Sequence, residues 1–406
     1  MFKNDKIKIL SLLIYLIPPS FILGILITEI LVFCASIIFL YIILLEKEFT
    51  YFNSTYFKIF LIVYFFLIIN SFFSKDMYLS LKVSLPYIRY GIISLAIWFA
   101  LEKNKNFINE FKFFLIPTIG ILVIDGFYQY IFGNNIIGYS TQSSRLSSFF
   151  FDEWILGSFI QKFFPLLVVI LFFNSKNNKN IYFKLFFLIS SYLIVFFSGE
   201  RAAFFLLSFL IILILIPLFK INKKIFKIFY ILIPIVFLLF FLSPVKERVF
   251  LLNSETNIKN SLITFYNNNY DPLFKTSLNI FYDHPIIGSG VKTYRVLCKE
   301  YYEIDPIKSC STHPHNYYFQ ALAESGLIGF ITLLIILLYL LTRYFHLIFL
   351  NKLKLKENFD QIIILSGLLV FLWPFSTTGS FFNNFISIIF FFNLGFFIRN
   401  INSKKL

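Results

Sequence analysis

Three of the four histidines in the chain, His284, His313 and His315, fall in one hydrophilic stretch of the second half. The densest chemistry lies at Cys310-Ser311-Thr312-His313-Pro314-His315-Asn316. Pro314 holds the residue before it extended, and Asn316 is a good N-cap for a helix that follows. His315 is thereby placed at a helix N-terminus. The positive potential there disfavours imidazolium, so a neutral, proton-accepting ring is expected. The backbone N–H groups of that end would also welcome an anion. Two other readings stay open: a histidine that only caps or packs, and a zinc site of Cys310, His313 and His315, for which no fourth ligand is evident.

Cations form the second group. Arg201, in Ser198-Gly199-Glu200-Arg201, starts an apolar run, where a positive side chain faces the unfavourable end of the helix dipole. Its anionic neighbour is either Glu200 or a phosphorylated ligand, whose oxygens suit the planar guanidinium fork. Lys82 and Arg89 are seven apart, on one face of one expected helix, Lys162 sits beside Gln161 two turns inside another, and Arg145 lies in a loop of about twenty residues. Charges at such depth face a partner or a wet cavity. Asp125, Asp152 and Glu153 offer ion pairs to each singly; collectively the cations suit a lipid-linked pyrophosphate.

The elements that must hold these groups are read from composition. Of 406 residues, 58% are hydrophobic and 14% charged, against about 25% charged in soluble domains. A soluble globule, a disordered chain and a nucleic-acid binder are excluded, and the formal charge of +15 reports cytoplasmic loops and anionic lipid. Apolar runs long enough to span occur as a hairpin within 7–45, broken near Pro18, Pro19 and Gly24, and at 57–74, 78–101, 113–132, 154–173, 182–198, 202–219, 228–243, 317–342, 361–376 and 380–398. The expected fold is therefore an all-α polytopic membrane protein of about twelve helices, with one long external loop between the ninth and tenth. No A-x-A-like cleavage site follows the first run, which reads as an uncleaved anchor.

With the N-terminus inside and the chain alternating, 22 of 36 basic residues fall on the cytoplasmic side. Eight of the other 14 lie in the long segment 244–315, where the positive-inside rule is weak. Both termini are thus expected to be cytoplasmic. The chain divides into helices 1–9 (1–243), an external loop (244–316), and helices 10–12 with a cytoplasmic tail (317–406). A twelve-helix transporter of two halves would place its main break in the middle; this one is late and external. Cys298 and Cys310 both fall in that loop, where an oxidising compartment would permit a disulfide, the alternative being two free thiols. Cys34 lies in an apolar run.

His315-Asn316, nine residues, then Gly326-Leu327-Ile328-Gly329 resembles the H-N-x9-G-x-x-G signature of the O-antigen ligase and O-antigen polymerase family. His284-Pro285-Ile286-Ile287-Gly288-Ser289-Gly290 is similar to the short element preceding it, and Ser198-Gly199-Glu200-Arg201 with Phe205 looks like the family's external arginine motif, although leucine is more usual than phenylalanine there.

The resemblance implies a membrane glycosyltransferase of the GT-C type in the bacterial inner membrane. Without a metal ion or cofactor, it would take a glycan from undecaprenyl pyrophosphate on the periplasmic face, with inversion. A ligase passes the glycan to lipid A–core and a polymerase to the next repeat unit; the intact signature spacing leans to the ligase. Carried over, Arg201 would bind pyrophosphate and His315 would be general base, supported by His313, Asn316, Glu324, Gly326 and Gly329. Arg248, Arg295 and Lys275 stand as candidates for the family's second loop cation, with Lys82, Arg89 and Arg145 as further pyrophosphate-side charges. A lipid-linked oligosaccharide flippase would share the intramembrane cations without needing the His-bearing loop, and an envelope scaffold would need neither.

Overall fold

The computed structural model describes residues 2–141, 145–172, 180–221, 269–302, 306–350 and 352–402. The apolar run 228–243, the boundary at 243/244 and Arg248 lie outside the described residues. Helices occupy the other eleven runs, as lipid demands: with no water to pair with, each backbone N–H and C=O must be satisfied within its own segment. They are α1 (Phe2–Leu23), α2 (Ile25–Glu46), α3 (Thr55–Phe72), α4 (Met77–Ser84), α5 (Ile88–Lys103), α6 (Phe107–Phe132), α7 (Leu156–Phe172), α8 (Ile181–Phe197) and α9 (Arg201–Ile221). The second half contributes α10 (Asp271–Asp283), α11 (Tyr294–Leu297), α12 (Pro306–Ser309), α13 (Tyr317–Ile348), α14 (Lys352–Glu357), α15 (Phe359–Phe371) and α16 (Asn384–Asn402).

Among the described residues, seven helical stretches are long and apolar enough to cross a bilayer: α1, α2, α3, the continuous 77–103 unit, α6, α9 and α13. Four shorter apolar helices, α7, α8, α15 and α16, accompany them. Large side chains such as Leu26, Ile62, Phe113, Ile124 and Phe183 are exposed on α2, α3, α6 and α8. Water would not tolerate so much apolar surface; lipid does. The chain is a multi-pass helical membrane protein.

Two expectations need correction, and one expected helix proves bent. Pro18 and Pro19 do not break the first hairpin: α1 runs through both, and the break falls at Gly24, with φ 121°. Prolines persist inside membrane helices because neighbouring groups satisfy the freed carbonyl. Lys82 and Arg89 do not share one regular helix, because a 3-10 turn at Leu85–Tyr87 around Pro86 separates α4 from α5. The run 317–342 is not straight either. Gly326 has φ 62° and ψ −159°, a conformation open essentially only to glycine, and it bends α13.

α5 and α16 pack along each other at the centre, with Ile93, Phe99, Ile389 and Phe392 buried. α10 to α12 form a separate small unit whose core of Leu273, Ile280, Tyr294, Leu297 and Cys298 closes onto Ala323 of α13. The bend in α13 is where this unit docks. Leu327 N donates to Pro285 O (2.8 Å), Ser289 N to Ala323 O (3.0 Å) and Gly290 N to Glu324 O (3.0 Å). A Cβ on Gly288 or Gly326 would meet the opposing backbone, so the His-Pro element and the G-x-x-G signature are two sides of one joint.

Candidate active site

The loops read as external from charge alternation meet around one cavity of about 710 Å³. Its lining brings together Arg145, Lys162, Glu200, Arg201, His313 and His315 from parts of the chain far apart in sequence. Phe21, Leu23, Gly24 and Ile25, at the α1–α2 break, form an apolar side, and Leu23 is 70% exposed.

Arg201 opens α9, as its position after a Gly turn suggests. The ambiguity about its neighbour narrows, because Glu200 is turned onto another helix. Its carboxylate accepts from Gly157 N (2.5 Å) and Ser158 N (3.1 Å) at the start of α7, where an acid complements the helix dipole. Burial pushes the Glu200 carboxyl up, opposed by these N–H groups and by nearby Lys162. Leu146 N donates to Ser198 O (3.3 Å), tying the Arg145 loop to the Arg201 turn. The Arg145 guanidinium lies 4.7 Å from the Trp154 ring centroid, and its buried Nε has no hydrogen-bond partner among the described residues. Lys162 Nζ reaches Ser158 O (3.4 Å) and lies over Phe371 and Phe385.

Of the acids that could neutralise these cations, Asp125 is engaged elsewhere and two others share the cavity. Asp125 accepts from Ile136 N (2.8 Å) and Ser148 Oγ (2.5 Å), shaping the loop after α6. Asp152 and Glu153 are exposed on the cavity rim.

The histidine pair lines the same cavity, with ring centroids 4.2 Å apart. Asn316 caps α13, its side chain accepting from Tyr318 N (2.9 Å) and Phe319 N (3.3 Å). His315 has φ 57°, in the left-handed region. Burial lowers the pKa of both rings, and for His313, beside His315, it falls to about 3. Both are therefore neutral near pH 7. Cys298 and Cys310 are bonded, with Cα atoms 5.1 Å apart, so the sulfur of the zinc alternative is engaged elsewhere.

Other sequence candidates stand away from the cavity lining. Arg89 forms a forked pair with Glu29 (2.8 and 3.1 Å), and Lys82 is exposed. Lys275 pairs with Asp271 (3.0 Å). Arg295 is close enough to His313 to oppose its protonation, and its Nε is buried without a hydrogen-bond partner among the described residues. Glu324 is fully buried behind the pair, accepting from Gln320 Nε2 (2.8 Å) and Tyr294 N (3.3 Å). Asn316, Gly326 and Gly329 build the helix that carries His315.

Sequence reasoning missed Trp154 and Tyr270, which line the cavity, and the loop Trp373–Asn383, which meets the histidines. The one signal for that loop was Ser376-Thr377-Thr378-Gly379-Ser380, a polar break between apolar runs.

A cavity lined by guanidinium, ammonium, carboxylate and imidazole groups beside apolar residues of α1 and α2 is thus the candidate site of a multi-pass helical membrane protein. Residues 185–334 match the O-antigen ligase family, which supports the resemblance to O-antigen ligases and polymerases. The matched stretch runs from α8 into α13 and contains Arg201, the His-Pro element and the His315–Gly329 signature. No curated protein matches the chain.

Proposed function

We propose that the chain is a ligase-type membrane glycosyltransferase, moving a glycan from undecaprenyl pyrophosphate to an acceptor hydroxyl, with lipid A–core as the acceptor. The observation that carries this reading is the convergence of Arg201 and His315 on one cavity with an apolar side. Polymerisation onto the next repeat unit uses the same chemistry and is the second reading, supported by the same family match.

The polyprenyl tail enters past Leu23 and Ile25, and the pyrophosphate lies against Arg201, Arg145 and Lys162. Arg295 and Arg248 are the loop candidates for a further phosphate contact. Neutral His315 takes the proton of the acceptor hydroxyl as its oxygen attacks the anomeric carbon. The new C–O bond forms as the bond to pyrophosphate breaks. Fixed cations hold the charge that develops on the leaving group, and one direct displacement inverts the anomeric centre. On this reading no metal or cofactor takes part.

The same proposal sets the topology: about twelve spanning helices, both termini cytoplasmic, and residues 244–316 as a periplasmic loop between 1–243 and 317–406 of an inner-membrane protein. The alternation of basic residues supports it.

The experiment is transfer in vitro with purified protein and a lipid-linked repeat unit. Glycan on lipid A–core means ligase; a ladder on the undecaprenyl carrier means polymerase. Lipid-linked glycan crossing a bilayer with no transfer, unaffected by His315→Ala, would establish a flippase and overturn the proposal.

A further inference from the structure

The loop Trp373–Asn383 lies outside the family match and holds no charged residue, yet it is fastened to the first turns of α13 from end to end. Asn316 Nδ2 donates to Pro374 O (2.7 Å) and Ser376 O (3.2 Å). Gln320 donates to Ser380 Oγ (2.8 Å) and accepts from Phe381 N (3.0 Å). At the other side, Trp373 packs on Phe209 of α9, the helix that begins with Arg201, at 4.6 Å between centroids. The loop is thus a strap joining the helix of the cation to the helix of the base.

Its middle residue touches both histidines. Thr378 N donates to His315 O (2.8 Å), holding the left-handed backbone of His315, and Thr378 O stands 3.2 Å from His313 Nε2. A carbonyl only accepts, so that bond puts the proton of neutral His313 on Nε2. His313 Nδ1 is then a bare acceptor, and Thr312 Oγ1 lies 2.9 Å away to donate to it. Both ring nitrogens of His313 are spoken for. His315 differs: the Thr378 backbone bears on its ring as well, but among the described residues its Nε2 meets Ser311 Oγ at 3.4 Å, a long contact that substrate can displace.

We propose that His313 is a positioning residue, hung by its Nε2–H on the Thr378 carbonyl and packed against His315 to aim it, and that the Trp373–Asn383 strap is the part of the fold that sets this aim. The inference rests on His315 being the base and assigns the second histidine a different task from the first.

The test is steady-state transfer by the full-length protein in lipid nanodiscs. Glutamine places an amide N–H where His313 holds its Nε2–H, but offers no basic nitrogen. His313→Gln is expected to stay within a few-fold of wild type, while His313→Leu loses on the order of 100-fold in kcat with KM little changed, the cost of about 1 Å of misplacement. His315→Gln falls to background. Binding of glycan-free undecaprenyl pyrophosphate, measured on the same samples, stays unchanged in all three and shows that each is folded. His313→Gln as inactive as His313→Leu, with binding intact, would overturn the positioning role and leave His315 as base. Full transfer by His315→Gln would instead sink the base assignment and this inference with it.

Discussion

At the scale of single residues, the cavity separates two charges by task. Glu200 accepts from the N–H groups of Gly157 and Ser158 at the start of α7, while Arg201 lines the cavity. Arg201→Ala should reduce transfer by at least about 100-fold, in the range seen on removing one preorganised transition-state donor, with the protein still inserted. Arg201→Lys should recover only part, since an ammonium cannot reproduce a two-pronged contact. A transfer assay normalised to membrane abundance decides, and full activity in the alanine variant would remove Arg201 from the mechanism. His315 gives a pH signature. The working form of the base is the neutral ring, and burial lowers its pKa from the ordinary value near 6.5. The acid limb of the activity profile should therefore have its midpoint below pH 6.5. A half-maximal point at or above 6.5 in the pH profile of kcat/KM would contradict the buried, neutral base.

At the scale of elements, the joint between α13 and the α10–α12 unit carries the next expectations. Gly326→Ala forces a Cβ into the Ile286–Gly288 backbone at a glycine-only conformation, so α13 must straighten or the unit must undock. The strain is of order 1–3 kcal/mol before the clash is counted, and thermal unfolding in detergent should show a clear loss of stability. The Cys298–Cys310 bond closes a loop with a sequence separation of 12. By the chain-entropy model it is worth roughly 3 kcal/mol, and that effect falls on the loop presenting His315 because the bilayer holds the helical body separately. Cys298→Ser and Cys310→Ser should each lower transfer with little change in abundance, and the double variant should match either single. Alkylation mass shifts with and without reductant, beside the three activities, check this; an additive double variant would mean the thiols act apart.

At the scale of the whole molecule, the proposed reaction assigns to fixed cations the electrostatic task that a bound divalent ion can perform. EDTA should leave transfer unchanged. Loss in the chelator, restored by a divalent cation, would overturn the metal-free proposal.

How much of this was legible depends on range. Bilayer thickness and the ban on unpaired backbone in lipid are written into runs of about 20 apolar residues, so the sequence alone determined a multi-pass helical protein. It also determined the local chemistry: a cap at Asn316, a cation at the head of α9 and glycines where backbones touch, each set by neighbours a few residues away. The tertiary structure decided the rest. Which cations share the cavity could not be read from spacing, since Arg145 and Lys162 reach Arg201 through helix packing while Arg89 finds Glu29 on α2. Nor could the strap be read. Thr378 meets the His315 backbone and the His313 ring through its own N–H and carbonyl, and since every residue has a carbonyl and all but proline an N–H, its side chain carries no sign of either contact.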